Sequence, residues 1–237
     1  MMVRVFITGT NRGLGLEFVK QYLERGDQVI ATCRKPDTAF ELNKLKEEYP
    51  DDLSIFKLDV TNEDERKEAY HDIKKQFDFI DIFINNAGIA TGGKSGSYIL
   101  GELHNEDMLK VFEVNSVAPV LLVETFLGLI KKGKNPKIIN ITSGLSSLVR
   151  RTSVFRYSYS ASKTALNMFS KLMAVQLRDE GIIVIPLHPG HVKTDLGGYH
   201  APLYPKESIE GMIKVIQALS IEDTGRFIDW RYEELPW

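Results

Sequence analysis

Tyr159 and Lys163 stand four residues apart at the start of a long periodic segment, so a helix there puts both side chains on one face. A phenol with an ordinary pKa of about 10 is a poor acid–base at neutral pH. An ammonium group beside it favours the phenolate, and the hydroxyl can then exchange a proton with a carbonyl or alcohol oxygen. Spacing alone is weakly specific, since Tyr70 and Lys74 repeat it in a highly charged stretch that reads as a solvated helix face. Two further features join the pair. Ser143 follows the apolar run 137–141 through Thr142, and Asn85-Asn86-Ala87-Gly88 ends the apolar run before it in the same way. Strand ends often carry Ser, Asn and Gly for turns, but open α/β sheets also bind their ligands at those carboxyl ends.

The segment Thr8-Gly9-Thr10-Asn11-Arg12-Gly13-Leu14-Gly15 follows an apolar strand and opens a helix. Glycines let the backbone approach a pyrophosphate, and a helix N-terminus offers it free N–H groups and partial positive charge. The spacing G-x-x-x-G-x-G differs from the commoner G-x-G-x-x-G, and alone it fits a packing turn equally well. The second strand runs out through Thr32-Cys33-Arg34-Lys35, with no carboxylate before Asp37. An acidic residue there would bind a ribose 2′-hydroxyl, whereas Arg34 offers a charged fork to a 2′-phosphate. Arg12 in the loop can approach from the other side. NADP(H) is therefore expected in preference to NAD(H). His188 and His191 flank Pro189-Gly190, but no second His, Cys or carboxylate pair stands at ligand spacing around them, and no metal is expected.

The elements that must hold these groups alternate along the chain. Strands are predicted at 3–8, 28–33, 53–58, 80–84, 137–141, 182–187 and 226–228, and helices at 14–25, 38–48, 63–76, 106–132, 158–180 and 206–219. The strands lack polar alternation, as expected where helices cover both faces of a parallel sheet. This predicts a single α/β domain over 1–237: a doubly wound Rossmann sheet of about seven strands. The 237 residues are 43% hydrophobic, enough for one large core, and 30 Lys and Arg against 32 Asp and Glu leave net −2. Such a balance gives no global field for nucleic acid or anionic lipid. The lone Cys33 cannot form an intramolecular disulfide, and Arg4 is followed by only three apolar residues before Thr8, so a cytoplasmic protein is expected. The most apolar stretch, 117–130, contains Pro119 and Glu124 and falls short of a membrane span, so it reads as a buried helix.

Taken together, TGTNRGLG at 8–15, Asp59 between Leu58 and Val60, NNAG at 85–88, Asn115, Ser143, YSASK at 159–163 and PGHVKT at 189–194 resemble the short-chain dehydrogenase/reductase family over nearly the whole chain. The CRKPD after strand two, the wording YSYSASK and the ending GRFIDWRYEELPW are most similar to its carbonyl-reductase-like branch, which includes sniffer and the C-factor proteins. The resemblance implies that Tyr159 is the general acid of carbonyl reduction. Lys163 would lower its pKa and bind the nicotinamide ribose, Ser143 would hold the substrate oxygen, and Asn115 would anchor a water that resupplies the proton. For the cofactor it implies the glycine loop with Gly9, Asn11, Arg12, Gly13, Leu14 and Gly15, then Arg34, Asp59 and Val60 at the adenosine end. Asn86, Ala87 and Gly88 would line the ribose and adenine side, and Pro189, Gly190, Val192 and Thr194 the carboxamide and pyrophosphate. Ser143 precedes Tyr159 by 16 residues where many relatives have 13, and Ser146 at the shorter spacing is the alternative. Tyr157 is no rival acid, because its i+4 position is Ala161.

The expected activity is reduction of an aldehyde or ketone, with a dinucleotide-binding signalling protein of C-factor type as the alternative. Contacts to a small-molecule substrate are expected from 92–98, 145–155 and 196–205. Arg150, Arg151 and Arg156 raise an acidic substrate as one option. The helices 106–132 and 158–180 are apolar enough to pack against a second subunit, and the resemblance implies a homodimer or homotetramer without choosing between them.

Overall fold

The computed structural model describes residues 2–90 and 99–237, so the expected substrate segment 92–98 lies outside the described residues. The strands are β1 (Arg4–Thr8), β2 (Gln28–Cys33), β3 (Leu53–Lys57), β4 (Ile82–Asn85), β5 (Lys137–Ile141), β6 (Ile183–His188) and β7 (Ile228–Asp229). They form one parallel sheet in the order β3-β2-β1-β4-β5-β6-β7. The helices are α1 (Gly13–Glu24), α2 (Phe40–Glu48), α3 (Glu63–Gln76), α4 (Asn105–Phe112), α5 (Ala118–Ile130), α6 (Tyr157–Leu177) and α7 (Pro205–Ala218).

Alternation along each strand fills both faces. Val5 and Ile7 of β1 enter the cluster that holds Phe18 of α1, Leu42 of α2 and Ile209 of α7. Phe6 between them enters the opposite cluster with Ile73 of α3, Phe126 of α5 and Met173 of α6. There Phe6 stacks on Phe83 at 4.4 Å and leans on Phe126 at 4.8 Å. Full burial of each such ring contributes about 1.5–3 kcal/mol, so these two layers, rather than local propensity, hold the strands flat against their helices.

The predicted helix 106–132 is continuous but not uniform. α4 and α5 are joined by a π turn at Glu113–Val117, which carries Asn115. The run Asn105–Ile130 is long and apolar enough to cross a membrane, yet Leu122, Val123, Phe126 and Leu129 are spent on the core. The fourth strand begins at Ile82 rather than Ile80, and just before it the Asp81 carboxylate takes the backbone N–H of Arg4 at 2.9 Å and of Lys134 at 2.6 Å. On the outer face of α6, Met168, Leu172 and Val175 are exposed at helical spacing.

Candidate active site

The sheet order reverses between β1 and β4: after β1 the chain builds β2 and β3 on one side and then returns to place β4 on the other. A crevice opens at the carboxyl ends of strands at such a switch point. Here the loop after β1 and the Asn-Asn-Ala-Gly end of β4 are knitted together. Thr8 Oγ1 accepts the N–H groups of Asn86 at 3.0 Å and Ala87 at 2.9 Å, and Asn86 Nδ2 donates to the carbonyls of Thr8 at 2.8 Å and Gly9 at 3.2 Å. Gly9 has φ +71°, and a β-carbon on it would lie 3.0 Å from Ala87 Cα. The loop ends at α1, whose N-cap, Arg12, makes no capping hydrogen bond and whose first turn holds no acidic residue. Its leading N–H groups therefore remain an anion site.

Arg12 extends to the segment after Pro189-Gly190, where Nη1 pairs with Asp195 Oδ2 at 2.5 Å between two exposed side chains. Thr194 Cγ2 is 3.8 Å from where a β-carbon on Gly13 would stand. Thus the 192–195 segment lies over the glycine loop, and Arg12 is held there by the Asp195 carboxylate, which no spacing in the sequence marks. Arg34 has no ion-pair partner among the described residues. Asp59 is held below the usual carboxylate range despite its partial burial, by hydrogen bonds from Thr61 N at 3.0 Å and Oγ1 at 2.8 Å and by the charges of Arg34 and Lys110. Val60 is buried beside it, its carbonyl taken by Arg66 Nη1 at 3.0 Å.

At the end of β5 the two candidate serines separate. Ser146 Oγ donates to the Ser143 carbonyl at 2.5 Å and accepts from Asn167 Nδ2 at 2.8 Å, so it is locked inside a buried polar cluster with Thr142. Ser143 Oγ accepts the Leu145 N–H at 3.1 Å and lies close enough to the Tyr159 phenol to lower its pKa. Gly144 donates its N–H to His188 Nδ1 at 3.0 Å, which fixes the turn after Ser143. Burial pushes the His188 imidazole down to about 4, so it is neutral at pH 7, and as an acceptor at Nδ1 it carries its proton on Nε2. The structural role expected of this histidine is thus seated directly behind the reactive turn.

Lys163 is buried and donates from Nζ to the Ile141 carbonyl at 2.8 Å, and burial lowers its pKa to about 8. A β-carbon on Gly88 would lie 3.3 Å from Asn115 Oδ1 and 3.5 Å from Lys163 Nζ, so these three residues converge. Asn115 takes the Ile89 N–H at 2.9 Å, returns Nδ2 to the Ile89 carbonyl at 2.8 Å, and reaches Ser162 Oγ at 3.1 Å. The π turn is what swings Asn115 to that position, and such turns recur at functional sites.

The phenol differs from the spacing expectation. Its pKa lies above the ordinary value: burial raises it, outweighing the lowering influences of the Ser143 hydrogen bond and the Arg156 guanidinium. Lys163 is not among those influences. Desolvation outweighs charge because Tyr159 is only 8% exposed, and the Lys163 ammonium has turned to the Ile141 carbonyl. Arg156 was legible only as one of three loop arginines, and Asn167 and Asp195 not at all.

A profile of the short chain dehydrogenase family matches residues 4–202. C-signal of Myxococcus xanthus is 38% identical over 159 residues, covering 67% of this chain and 93% of that protein. The oxidoreductase C663.06c of Schizosaccharomyces pombe is 32% identical over 251 residues, covering 98% and 97%. Among solved structures, the NADPH-bound carbonyl reductase from chicken fatty liver superposes with a TM-score of 0.93 at 35% identity, covering 100% of this chain and 99% of that one. The carbonyl reductase Sniffer of D. melanogaster does so with 0.94 at 32% identity, with full coverage of both. A likeness that takes in the glycine loop at one end and the Pro-Gly segment at the other makes this chain a member of the short-chain dehydrogenase/reductase family of oxidoreductases, on its sniffer-like branch.

Proposed function

We propose that the protein reduces an aldehyde or ketone to the alcohol, reversibly and with NADP(H), and that Tyr159 supplies the proton. The observation that carries this reading is the convergence of Ser143 at the carboxyl end of β5 with the buried Tyr159 phenol, whose pKa it lowers, and with the buried Lys163 one turn along α6. Ser143 and Tyr159 would both donate to the substrate oxygen, Ser143 holding and polarising it as an oxyanion donor does. Tyr159 Oη would then release its proton to that oxygen as the carbon is reduced. A pKa above the ordinary value keeps the phenol protonated at neutral pH, the form reduction requires. Lys163 carries two N–H groups beyond the one given to Ile141, and we assign them to the ribose and to the return of the proton, with Asn115 anchoring that return path.

The chain's own residues fit a dinucleotide. Gly9 and Gly15 let the loop close on Ala87 and Asn86 where a β-carbon would collide, the α1 N-terminus is uncapped, and Arg34 is free of carboxylate ion-pair partners among the described residues. Gly9, Asn11, Gly13, Leu14 and Gly15 would hold the pyrophosphate with Val192 and Thr194, Arg34 the 2′-phosphate, joined by Arg12 on its release from Asp195, and Asp59, Val60, Asn86, Ala87 and Gly88 the adenosine. Pro189 and Gly190 would border the carboxamide. When bound, the reduced cofactor supplies the hydride. The chicken carbonyl reductase, whose structure holds NADPH, supports the cofactor choice.

Arg34→Asp is expected to weaken NADPH binding tenfold to a hundredfold, since a hydrogen bond to a charged group contributes about 1.5–3 kcal/mol. NADH binding should change less than threefold in the same fluorescence titration. Equal losses for both would remove the assignment.

The likeness to C-signal sustains a second reading, a protein that binds the dinucleotide and signals with little turnover. NADPH absorbance followed with a panel of aldehydes, diketones and quinones separates the two. Consumption with any of them supports the enzyme, and tight NADPH binding without turnover on all of them supports the signalling protein.

The exposed stripe of Met168, Leu172 and Val175 suits a second subunit. Light scattering should give a dimeric or tetrameric mass that Val175→Lys shifts toward the monomer, and a monomeric wild type would end this assignment.

A further inference from the structure

We infer that Arg156 is a positioning residue for Tyr159: from the N-cap of α6 its guanidinium ties the 194–197 segment to the reactive end and holds a permanent positive charge beside the phenol. The inference rests on Tyr159 being the proton donor.

Arg156 is left-handed, with φ 50° and ψ 66°, a conformation that a residue with a β-carbon adopts at a cost and that clusters at functional sites. The guanidinium reaches inward. Its Nη1 donates to the Leu196 carbonyl at 2.9 Å, and its central carbon lies 5.0 Å from the Phe155 ring centre and 5.9 Å from that of Tyr159. Its Nε is buried and has no hydrogen-bond partner, and no carboxylate pairs with it among the described residues. A half-buried charge so placed, with no carboxylate to neutralise it, favours negative charge appearing beside it. That charge develops on the phenol oxygen when the proton leaves.

Other groups near the phenol do not duplicate this. Ser143 at the end of β5 is uncharged, His188 of β6 is neutral and engaged with Gly144, and Lys163 on the same helix faces Ile141. α4, which packs on α6, carries Glu106, Asp107 and Lys110, the last paired with Glu113 at 2.9 Å, and none of them acts on the phenol's titration. In the 191–197 segment Asp195 is paired with Arg12, His191 with the Gly197 carbonyl, and Lys193 sits 4.2 Å from the Tyr204 ring centre. Burial also lowers the Lys163 pKa to about 8, so its charge begins to be lost in the alkaline range, whereas a guanidinium keeps its own. Of the side chains described near the phenol, Arg156 is the one whose charge is unchanged through the alkaline range where alcohol oxidation calls for the phenolate.

The test is the pH profile of kcat for NADP+-dependent oxidation of whichever alcohol the panel's best carbonyl yields. In Arg156→Gln the acid limb should move up by about one unit, as expected for loss of a nearby opposite charge. At pH 7 kcat should fall about tenfold, with the KM of the alcohol within threefold and the limb restored by Arg156→Lys. Titration of the phenol by ultraviolet difference against the matching Tyr159→Phe protein reads the same shift without turnover. A uniform loss at every pH, or an unmoved limb with Tyr159→Phe inactive, would overturn the inference alone. A Tyr159→Phe protein that still turns over would instead remove the reading beneath it. If uncharged variants failed to fold while Arg156→Lys folded, the residue would be a structural cap and the inference would be wrong.

Discussion

Tyr159→Phe is expected to lower kcat for carbonyl reduction by at least a hundredfold and to leave NADPH affinity within about threefold of wild type, a general acid being worth about 10²–10⁴ in rate. The substitution removes one oxygen and keeps the ring, which is packed in the core at 8% exposure. Ser143 retains its bond from the Leu145 N–H, so the turn survives. Stability should change by no more than the one hydrogen bond lost, about 0.5–1.5 kcal/mol. The pH dependence follows from the direction of the phenol's shift. With its pKa above the ordinary value, Tyr159 stays protonated through neutral pH, so reduction by the wild type should be flat there and decline only in the alkaline range as the phenol ionises. Oxidation of the alcohol, which starts from the phenolate, should rise with pH over the same range. Stopped-flow or steady-state NADPH absorbance reads both. A Phe variant reducing carbonyls at wild-type rate would dismiss Tyr159 as the donor.

The strands along the chain and the places of Ser143, Tyr159 and Lys163 at a strand end and a helix start were legible because each depends on something local. An unbroken apolar run makes an interior strand, a glycine cluster after it makes the turn, and the carboxyl end of the strand presents whatever residue comes next. The preference for Ser143 over Ser146 rests on adjacency to β5; what adjacency could not show is that Ser146 is engaged by Asn167 and the Ser143 carbonyl. What the spacing of Tyr159 and Lys163 could not show was the sign of the phenol's shift. That sign is a sum over burial from both faces and charges brought in by the chain at Arg156, and no window of sequence contains it. The pairing of Arg12 with Asp195 is hidden for the same reason, being a contact across 183 residues. The π turn escaped because the hydrophobic period of 106–132 is nearly the same whether the helix widens by one residue or not.

Gly15→Ala should abolish useful NADPH binding, raising the Kd at least a hundredfold, although helix propensity argues the other way. Inside a helix, alanine is ordinarily more stable than glycine by about 0.5–1 kcal/mol. At Gly15 the new β-carbon would lie 2.2 Å from the Gly9 carbonyl oxygen and 2.6 Å from Asn86 Nδ2. Neither neighbour can yield cheaply. The Gly9 oxygen belongs to the backbone of the loop, and the Asn86 amide is fixed by the carbonyls of Thr8 and Gly9 that it bridges. α1 must therefore shift away from β1, opening the cradle and carrying the helix N-terminus off its line. Overpacking of this kind costs about 1–3 kcal/mol in stability, so the melting temperature should fall as well. Gly128→Ala in α5 is the matched control, since its β-carbon would meet only the Tyr70 hydroxyl at 3.9 Å, an ordinary contact. There the propensity gain should appear undiminished, with a melting temperature at or above wild type and unchanged NADPH binding. If Gly15→Ala bound NADPH within threefold of wild type, the close approach of α1 to the loop would not be what shapes the dinucleotide site.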